Sequence, residues 1–149
     1  MTSDVSWVVD ASVALKWYLE DEDHVEDAVR MLDGFVAGQL DLTAPSFIRY
    51  EMANALEVAR VQGRISGEES RQKLSRFLAT KIFAARDDDA LIDGAVAVSS
   101  RYGISPYDGI YLAMAEESGS MYVTADALLY RRIESVLPFA RLLANVDPR

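Results

Sequence analysis

Four carboxylates in this sequence of 149 residues occupy positions that exposure to solvent does not explain. They are Asp10, Glu51, Asp108 and Asp126. Asp10 closes the apolar run 5–9 and Asp126 comes just after the run 121–124, so both follow segments that we interpret as buried strands. Carboxylates gathered in one crevice repel one another unless a cation neutralises them, and a hard divalent ion such as Mg²⁺ or Mn²⁺ does so most simply. A carboxylate cluster around Mg²⁺ is typical of phosphoryl transfer by metal-activated water.

Each of the four has an alternative structural role. Asp10 and Asp126 could cap a helix or stabilise a turn. Glu51 interrupts the apolar helix face formed by Phe47, Ile48, Asn54, Ala55 and Val58, where an unpaired charge is costly. A salt bridge between Glu51 and Arg49 or another basic side chain would relieve that cost, although Arg49 and Glu51 point to different parts of the helix surface. Asp108 belongs to Ser105-Pro106-Tyr107-Asp108, which has the pattern of a capping box.

The composition narrows the chemistry further. The chain has no Cys and one His, which excludes thiolate metal sites and sites that need two imidazoles. Half of the residues are apolar and 26% are charged, so disorder is not expected. The net charge of −9 argues against a protein that coats polyanions, yet residues 49–86 carry a net charge of +4. This basic band consists of Arg49, Arg60, Arg64, Arg71, Lys73, Arg76, Lys81 and Arg86.

Short strand patterns alternate with longer helical patterns along the chain, and this predicts a parallel sheet covered on both faces. The predicted strands are 5–9, 40–44, 81–84, 121–124 and 141–146. The predicted helices are 12–17, 22–36, 45–62, one starting at Ser66, 87–102 and 105–119. We expect one α/β domain over residues 1–149. The early residues lack the basic region of a leader peptide, and no apolar run could span a membrane, so we expect a cytoplasmic protein.

Four segments at these positions give the chain a family resemblance. They are Val8-Val9-Asp10-Ala11-Ser12; Pro45 with Tyr50-Glu51-Met52-Ala53-Asn54-Ala55-Leu56; Tyr107-Asp108-Gly109-Ile110-Tyr111-Leu112-Ala113; and Val123-Thr124-Ala125-Asp126. In this order, the set resembles the PIN-domain family of metal-dependent nucleases, and within it the VapC-type toxins of toxin–antitoxin pairs. The resemblance implies a three-layer α/β/α sandwich with a doubly wound sheet of about five parallel strands.

The resemblance also implies a function. It implies an endoribonuclease with Mg²⁺ or Mn²⁺ held by the four carboxylates, partly through water, and with 5′-phosphate and 3′-hydroxyl products. Ser12 and Thr124 would place hydroxyl groups near the metal or its water, or would act as ordinary cap and turn residues. The RNA backbone would follow the basic band, with Arg49, Arg64 and Arg71 as candidate contacts. The resemblance further implies a homodimer and a small antitoxin partner whose basic tail reaches the acidic crevice.

One departure and several alternatives accompany this hypothesis. Ala127-Leu128-Leu129-Tyr130 follows Asp126 where many family members carry a further acid or amide, so a fifth ligand and a second metal ion are in doubt. A PIN-like domain that binds without cutting, a PIN nuclease of RNA processing without an antitoxin, and DNA or structured RNA as substrate stay open. A receiver domain would need paired acids after the first strand and a late Lys. A haloacid-dehalogenase-like phosphatase would need an Asp where Ser12 stands.

Overall fold

The structure is a computed structural model that describes residues 5–83 and 87–147. The strands in these ranges are β1 (Ser6–Val9), β2 (Asp41–Thr43), β3 (Met121–Thr124) and β4 (Ala140–Leu142). The α-helices are α1 (Ala11–Ala14), α2 (Val25–Val36), α3 (Ile48–Val61), α4 (Gly67–Ala79), α5 (Asp89–Tyr102), α6 (Pro106–Ser118) and α7 (Ala127–Ile133). Short 3-10 segments follow α1 and β4, at Leu15–Trp17 and Leu143–Asn145. None of the helices in the two described ranges has the length and apolar content needed to cross a lipid bilayer.

The four strands form a parallel sheet in the order β2-β1-β3-β4. Val9 pairs with Val123 in the centre, so the carboxyl ends of β1 and β3 are neighbours. Val8 and Val9 are both fully buried, as are Tyr122 and Val123 in β3. Because successive strand residues point to opposite faces, burial of both shows that both faces of the sheet are covered. The predicted three-layer α/β/α architecture is therefore confirmed.

The sheet has four strands in the described ranges, where about five were predicted. The strand predicted at 81–84 is wrong for Lys81, Ile82 and Phe83, and Ala84 lies outside the described residues. The carbonyl of Ile82 accepts one backbone hydrogen bond from Ala44 (3.1 Å) just beyond β2. Lys81 has a φ of 58°, a left-handed conformation that an extended strand cannot contain. A single sheet-like contact therefore replaces the expected ladder.

The helices differ from the predictions in two notable ways, at the first helix and after Asp126. Asp10, not Ser12, caps α1, and this first helix changes to a 3-10 segment after one turn. Helix α7 was not predicted, although Asp126 is its cap and Leu129 and Ile133 form its buried face. The predicted helix start at Ser66 is confirmed: the Ser66 hydroxyl accepts from the amide of Glu69, and the Glu69 carboxylate accepts from the amide of Ser66, which together form a capping box. Helix α6 ends at Gly119, whose φ of 67° suits glycine best.

Candidate metal centre and active site

The crevice at the carboxyl ends of β1 and β3 is formed by the sheet topology. From β1 the chain continues to β2 on one side, whereas β3 continues to β4 on the other side. The strand order therefore reverses between β1 and β3, and parallel α/β sheets bind ligands at such a point. Asp10 directly follows β1, and Asp126 follows β3 after one intervening residue.

Asp10 is held in this crevice by several donors. Its side chain is in a residue that is only 7% exposed. The Tyr122 hydroxyl donates to Asp10 Oδ2 (2.7 Å), while the Ser12 hydroxyl and the Val13 amide (3.3 Å) donate to Oδ1. Burial raises the pKa of Asp10, and these hydrogen bonds offset part of the increase. The carboxylate therefore has a fixed orientation but an unfavourable environment for its charge.

Two hydroxyl groups connect the end of β1 to the end of β3. Ser12 Oγ lies 3.3 Å from Thr124 Oγ1 and accepts from the amide of Ala125 (2.8 Å). Thr124 Oγ1 accepts from the amide of Asp126 (3.0 Å). Both side chains thus lie beside Asp10 and Asp126, and their role near a metal ion stays a prediction. Their hydrogen bonds fix the turn that carries Asp126.

Glu51 reaches the crevice from the first turn of α3. The buried stripe of this helix is Ile48, Met52, Leu56 and Ala59. Glu51 lies half-buried at the edge of that stripe, whereas Asn54 and Val58 of the predicted apolar face are exposed. The Tyr111 hydroxyl of α6 donates to Glu51 Oε1, whereas Arg49 donates to the Ser46 carbonyl. Among the described residues Glu51 forms no ion pair, so the alternative salt bridge is wrong. Burial raises the pKa of Glu51, and the charges of Asp10 and Asp108 raise it further.

Asp108 and Asp126 face the same small cavity, whose volume is about 220 Å³. Asp108 lies in the first turn of α6, and its Oδ2 accepts from the Ser105 hydroxyl (3.2 Å). Asp126 Oδ1 accepts from the amides of Leu128 (3.0 Å) and Leu129 (3.1 Å). Burial raises the pKa of Asp108, and the charges of Asp10 and Asp126 add to the effect. Asp126 thus caps α7 and also faces the cavity. The cap of α6 is Ser105, whose hydroxyl accepts from the Asp108 amide and donates to the Asp108 carboxylate, so the reciprocal backbone bond of a capping box is absent there among the described residues.

The donor chemistry of this crevice fits a hard divalent cation. In the described ranges, one oxygen of each of Glu51, Asp108 and Asp126 accepts a hydrogen bond and the other accepts none. Three anchored carboxylates therefore present free oxygens, the atoms that Mg²⁺ and Mn²⁺ prefer. No three Asp, Glu or His side chains among the described residues are arranged to hold one ion directly. Mg²⁺ commonly keeps several water ligands and needs few direct carboxylate bonds.

Comparison with known proteins identifies this arrangement. A family model described as the PIN domain matches residues 7–134, which include all four carboxylates. The chain belongs to the PIN-domain family. The predicted family resemblance is therefore confirmed.

Individual relatives of this PIN domain are more distant. It is 28% identical over 136 residues to ribonuclease VapC3 of Pyrobaculum aerophilum, an alignment that covers 87% of this chain and 96% of the relative. Among solved structures, it resembles PAE2754 from Pyrobaculum aerophilum with a TM-score of 0.62 and 22% identity, covering 94% and 92% of the two chains. It also resembles a chain of FitAB bound to the IR36 DNA fragment, with a TM-score of 0.61, 16% identity and coverage of 95% and 97%. These structural similarities establish the fold alone.

The predicted RNA contacts of the PIN domain are dispersed in the structure. Arg64 donates to Asp21 Oδ1 (2.7 Å) and Glu22 Oε2 (2.8 Å), so its charge is already paired. Arg71 lies in a surface hollow lined also by Glu57 and Arg60, near the far end of α3. Glu51 and Arg60 are nine residues apart on α3, which corresponds to about 14 Å. This geometry disfavours Arg64 and Arg71 as contacts near the crevice.

Arg49 is better placed, in the same helical turn as Glu51. Its Nε donates to the Ser46 carbonyl (3.1 Å), and its guanidinium lies 5.8 Å from the Tyr50 ring centre and 5.3 Å from that of Phe83. In the part of the chain that the structure describes, Arg49 has no carboxylate partner. Its role as an RNA contact stays a prediction.

Sequence reasoning missed three side chains of the crevice. Tyr111 and Tyr122 hold Glu51 and Asp10, and both phenols have pKa values raised by burial and by the neighbouring carboxylate. Arg132 of α7 lines the cavity of Asp108 and Asp126, with its Nη1 donating to the Gly103 carbonyl (2.9 Å). An Asp cap followed by Leu129 and Ile133 at helical spacing could have revealed α7, and thereby Arg132.

Proposed function

We propose that this PIN domain is a Mg²⁺- or Mn²⁺-dependent endoribonuclease and the toxin of a type II toxin–antitoxin pair. One observation carries the proposal: the fold brings four carboxylates to the point where the strand order of the parallel sheet reverses. Three of these carboxylates have a free oxygen. The similarity to a protein named ribonuclease VapC3 supports RNA as the substrate.

In this proposal, Asp10, Glu51, Asp108 and Asp126 hold the ion, partly through water. Such an ion, when bound, activates water at neutral pH and offsets the negative charge of the phosphodiester. The residues of the chain orient the reaction: Tyr122 and Ser12 fix Asp10, and Tyr111 fixes Glu51. One of the carboxylates takes up the proton of the attacking water. In-line attack of the water oxygen on phosphorus then breaks the bond to the 3′ oxygen, which takes a proton from solvent, and the products are a 5′-phosphate and a 3′-hydroxyl.

A cleavage assay tests the proposal. Labelled single-stranded RNA, structured RNA and single-stranded DNA are incubated with the purified protein in Mg²⁺, Mn²⁺ or EDTA. We expect internal cuts in RNA with either ion and none in EDTA, and 5′-phosphate ends that a phosphatase removes. Cleavage that persists in EDTA would refute the metal chemistry. Tight RNA binding without cuts under any condition would instead indicate a binding domain without catalytic activity.

Arg132 is the cation that we expect to contact an RNA phosphate beside the crevice. It lines the cavity of Asp108 and Asp126, and among the described residues it forms no ion pair. Arg132→Gln should therefore weaken single-stranded RNA binding several-fold and reduce the salt dependence of the affinity by about 0.7 in log–log slope, the value for one phosphate contact.

Arg64→Gln is the matched control for this measurement. The Arg64 charge is paired with Asp21 and Glu22, so its loss should leave both the RNA affinity and the salt slope unchanged. Fluorescence anisotropy in EDTA at several salt concentrations measures both variants without cleavage. If Arg64→Gln lowers the slope and Arg132→Gln does not, the RNA follows the basic band of residues 49–86 instead.

The toxin assignment requires a partner. We propose a small antitoxin whose basic tail places Arg or Lys at the four carboxylates and so competes with the metal ion and RNA. The net charge of −9 suits such a tail. Homodimerisation, which the family resemblance implies, belongs to the same proposal. Co-purification with the product of a neighbouring reading frame, together with loss of cleavage in the complex, tests the partner.

A further inference from the structure

An apolar cavity opens beside the carboxylates, between the first turns of α3 and α6 and the flank of α5. Its volume is about 260 Å³. Its wall contains Phe47, Tyr50, Ile92, Val96 and Tyr107, and the last four are between 49% and 68% exposed. The rings of Phe47 and Tyr107 are stacked, with centres 5.2 Å apart and planes inclined by 13°. Two exposed aromatic side chains on one small cavity are an unusual feature of a protein surface.

The cavity is adjacent to the proposed metal centre. Phe47 and Tyr107 lie four residues before Glu51 and Tyr111 on α3 and α6, and these helices contact each other through both pairs. Four residues correspond to one turn, or about 6 Å. Tyr50 and Tyr107 also directly precede Glu51 and Asp108. A ligand with a phosphate at the carboxylates would therefore place its next group at this cavity.

We propose that the cavity binds the nucleobase next to the scissile phosphodiester, with the base stacked on Tyr107 and contacting Tyr50. This proposal rests on the proposed endoribonuclease function and names a recognition site for it. Single-stranded RNA is commonly bound by aromatic side chains that stack with bases, together with cations that contact the backbone. Arg49, whose guanidinium lies over Tyr50, supplies a cation at the rim.

The dimensions of the cavity favour a single base over a protein segment. Pockets for small molecules begin at about 300 Å³, so about 260 Å³ suits one flat ring system better than a helix. Two residues of its wall, Tyr50 and Tyr107, are also the sequence neighbours of Glu51 and Asp108. A protein-binding surface would not require that proximity to the carboxylates.

The test compares Tyr107→Leu and Tyr50→Leu with Tyr107→Phe and Tyr50→Phe. Leu preserves apolar volume but removes the aromatic face, whereas Phe preserves that face. Each protein is assayed on a single-stranded RNA and on a series of the same RNA with one abasic nucleotide at each position around the cut. We expect one abasic position to lower kcat/KM of the wild type roughly tenfold to hundredfold.

On intact RNA, the Leu variants should lose kcat/KM by a similar factor, and the Phe variants should stay close to the wild type. On the RNA with that abasic position, the Leu variants should lose little more, because the missing base and the missing ring remove the same contact. Equal losses on intact and abasic RNA, or no loss in the Leu variants, would overturn the proposal. Circular dichroism confirms that the variants are folded.

RNA binding in EDTA separates this proposal from the proposed function. If the protein cuts no RNA, a series of one RNA with a single abasic nucleotide at every position in turn is measured by fluorescence anisotropy, and a loss of affinity at one position that is absent in the Leu variants still supports the base site. If the Leu variants change the oligomeric state in light scattering and leave RNA affinity unchanged, the cavity is a contact between copies of the chain, and the base site is refuted.

Discussion

Asp10→Asn should lower RNA cleavage on the order of 10³-fold or more, and at the same time make the metal-free protein more stable. The first effect follows from the loss of a charged oxygen ligand at the proposed metal centre. The second follows from the burial of Asp10, which raises the pKa of its carboxyl and so disfavours its charge. An amide has the same shape without that charge: its oxygen still accepts from Ser12, and its NH₂ group donates to the Tyr122 hydroxyl, which is the donor in the wild type.

The stability gain should depend on pH in a defined direction. The pKa of Asp10 is higher in the folded chain than in the unfolded chain, where it is about 4. Between these two values the folded state binds more protons, so the stability of the wild type falls as the pH rises through this interval. The difference between Asp10→Asn and the wild type should therefore be largest at neutral pH and smallest near pH 4.

Thermal unfolding in EDTA from pH 4.5 to 7.5 measures this difference in stability. In separate samples without EDTA, Mn²⁺ should raise the melting temperature of the wild type far more than that of the variant. Asp93→Asn on the exposed face of α5 is the control, and it should leave activity unchanged and stability nearly so. A variant that keeps its activity would remove Asp10 from the proposed centre. A variant that is less stable than the wild type at every pH would show that the Asp10 charge is structurally required.

The positions of these acids could be predicted because they depend on local order and on one topological rule. An apolar run followed by Asp predicts a strand that ends at a carboxylate, and parallel strands align such ends at one edge. Asp10 and Asp126 follow this rule. On the sequence alone, helix capping and metal binding are alternative roles for each acid. The two roles are compatible because a carboxylate has two oxygens: Asp126 caps α7 with one of them and leaves the other free.

The partners of these acids could not be predicted, because they come from distant parts of the chain. Tyr111 is 60 residues from Glu51, and Tyr122 is 112 residues from Asp10. Nothing in the local pattern distinguishes these phenols from ordinary core residues. The charge pattern could not show which cations are already paired for the same reason, since Arg64 pairs with Asp21, 43 residues away. Helical counting placed Glu51 on a helix face but could not show which part of that face is buried.

Gly109→Ala should destabilise the protein by about 2–3 kcal/mol, which corresponds to a melting temperature lower by roughly 5–10 °C. Gly109 follows Asp108 in α6, where this helix lies against the backbone of α5. A Cβ atom at Gly109 would lie 2.5 Å from the carbonyl oxygen of Ala95, closer than real contacts allow. Because the obstacle is backbone, the two helices must separate. Asp108 and Tyr111 would move with α6, so cleavage should fall even at temperatures where the variant is folded.

Gly94→Ala is the matched control, because Gly94 lies on α5 in the same helix interface. Its Cβ atom would lie 3.5 Å from Cβ of Ala113 and 3.6 Å from Glu117 Oε1, which are ordinary contacts. Ala is favoured over Gly within a helix by about 0.5–1 kcal/mol, so this variant should be as stable as the wild type or more stable. Chemical denaturation of both variants measures the contrast. Equal stability of the two would show that α5 and α6 do not need close backbone contact at Gly109, and that another constraint places Asp108 at the crevice.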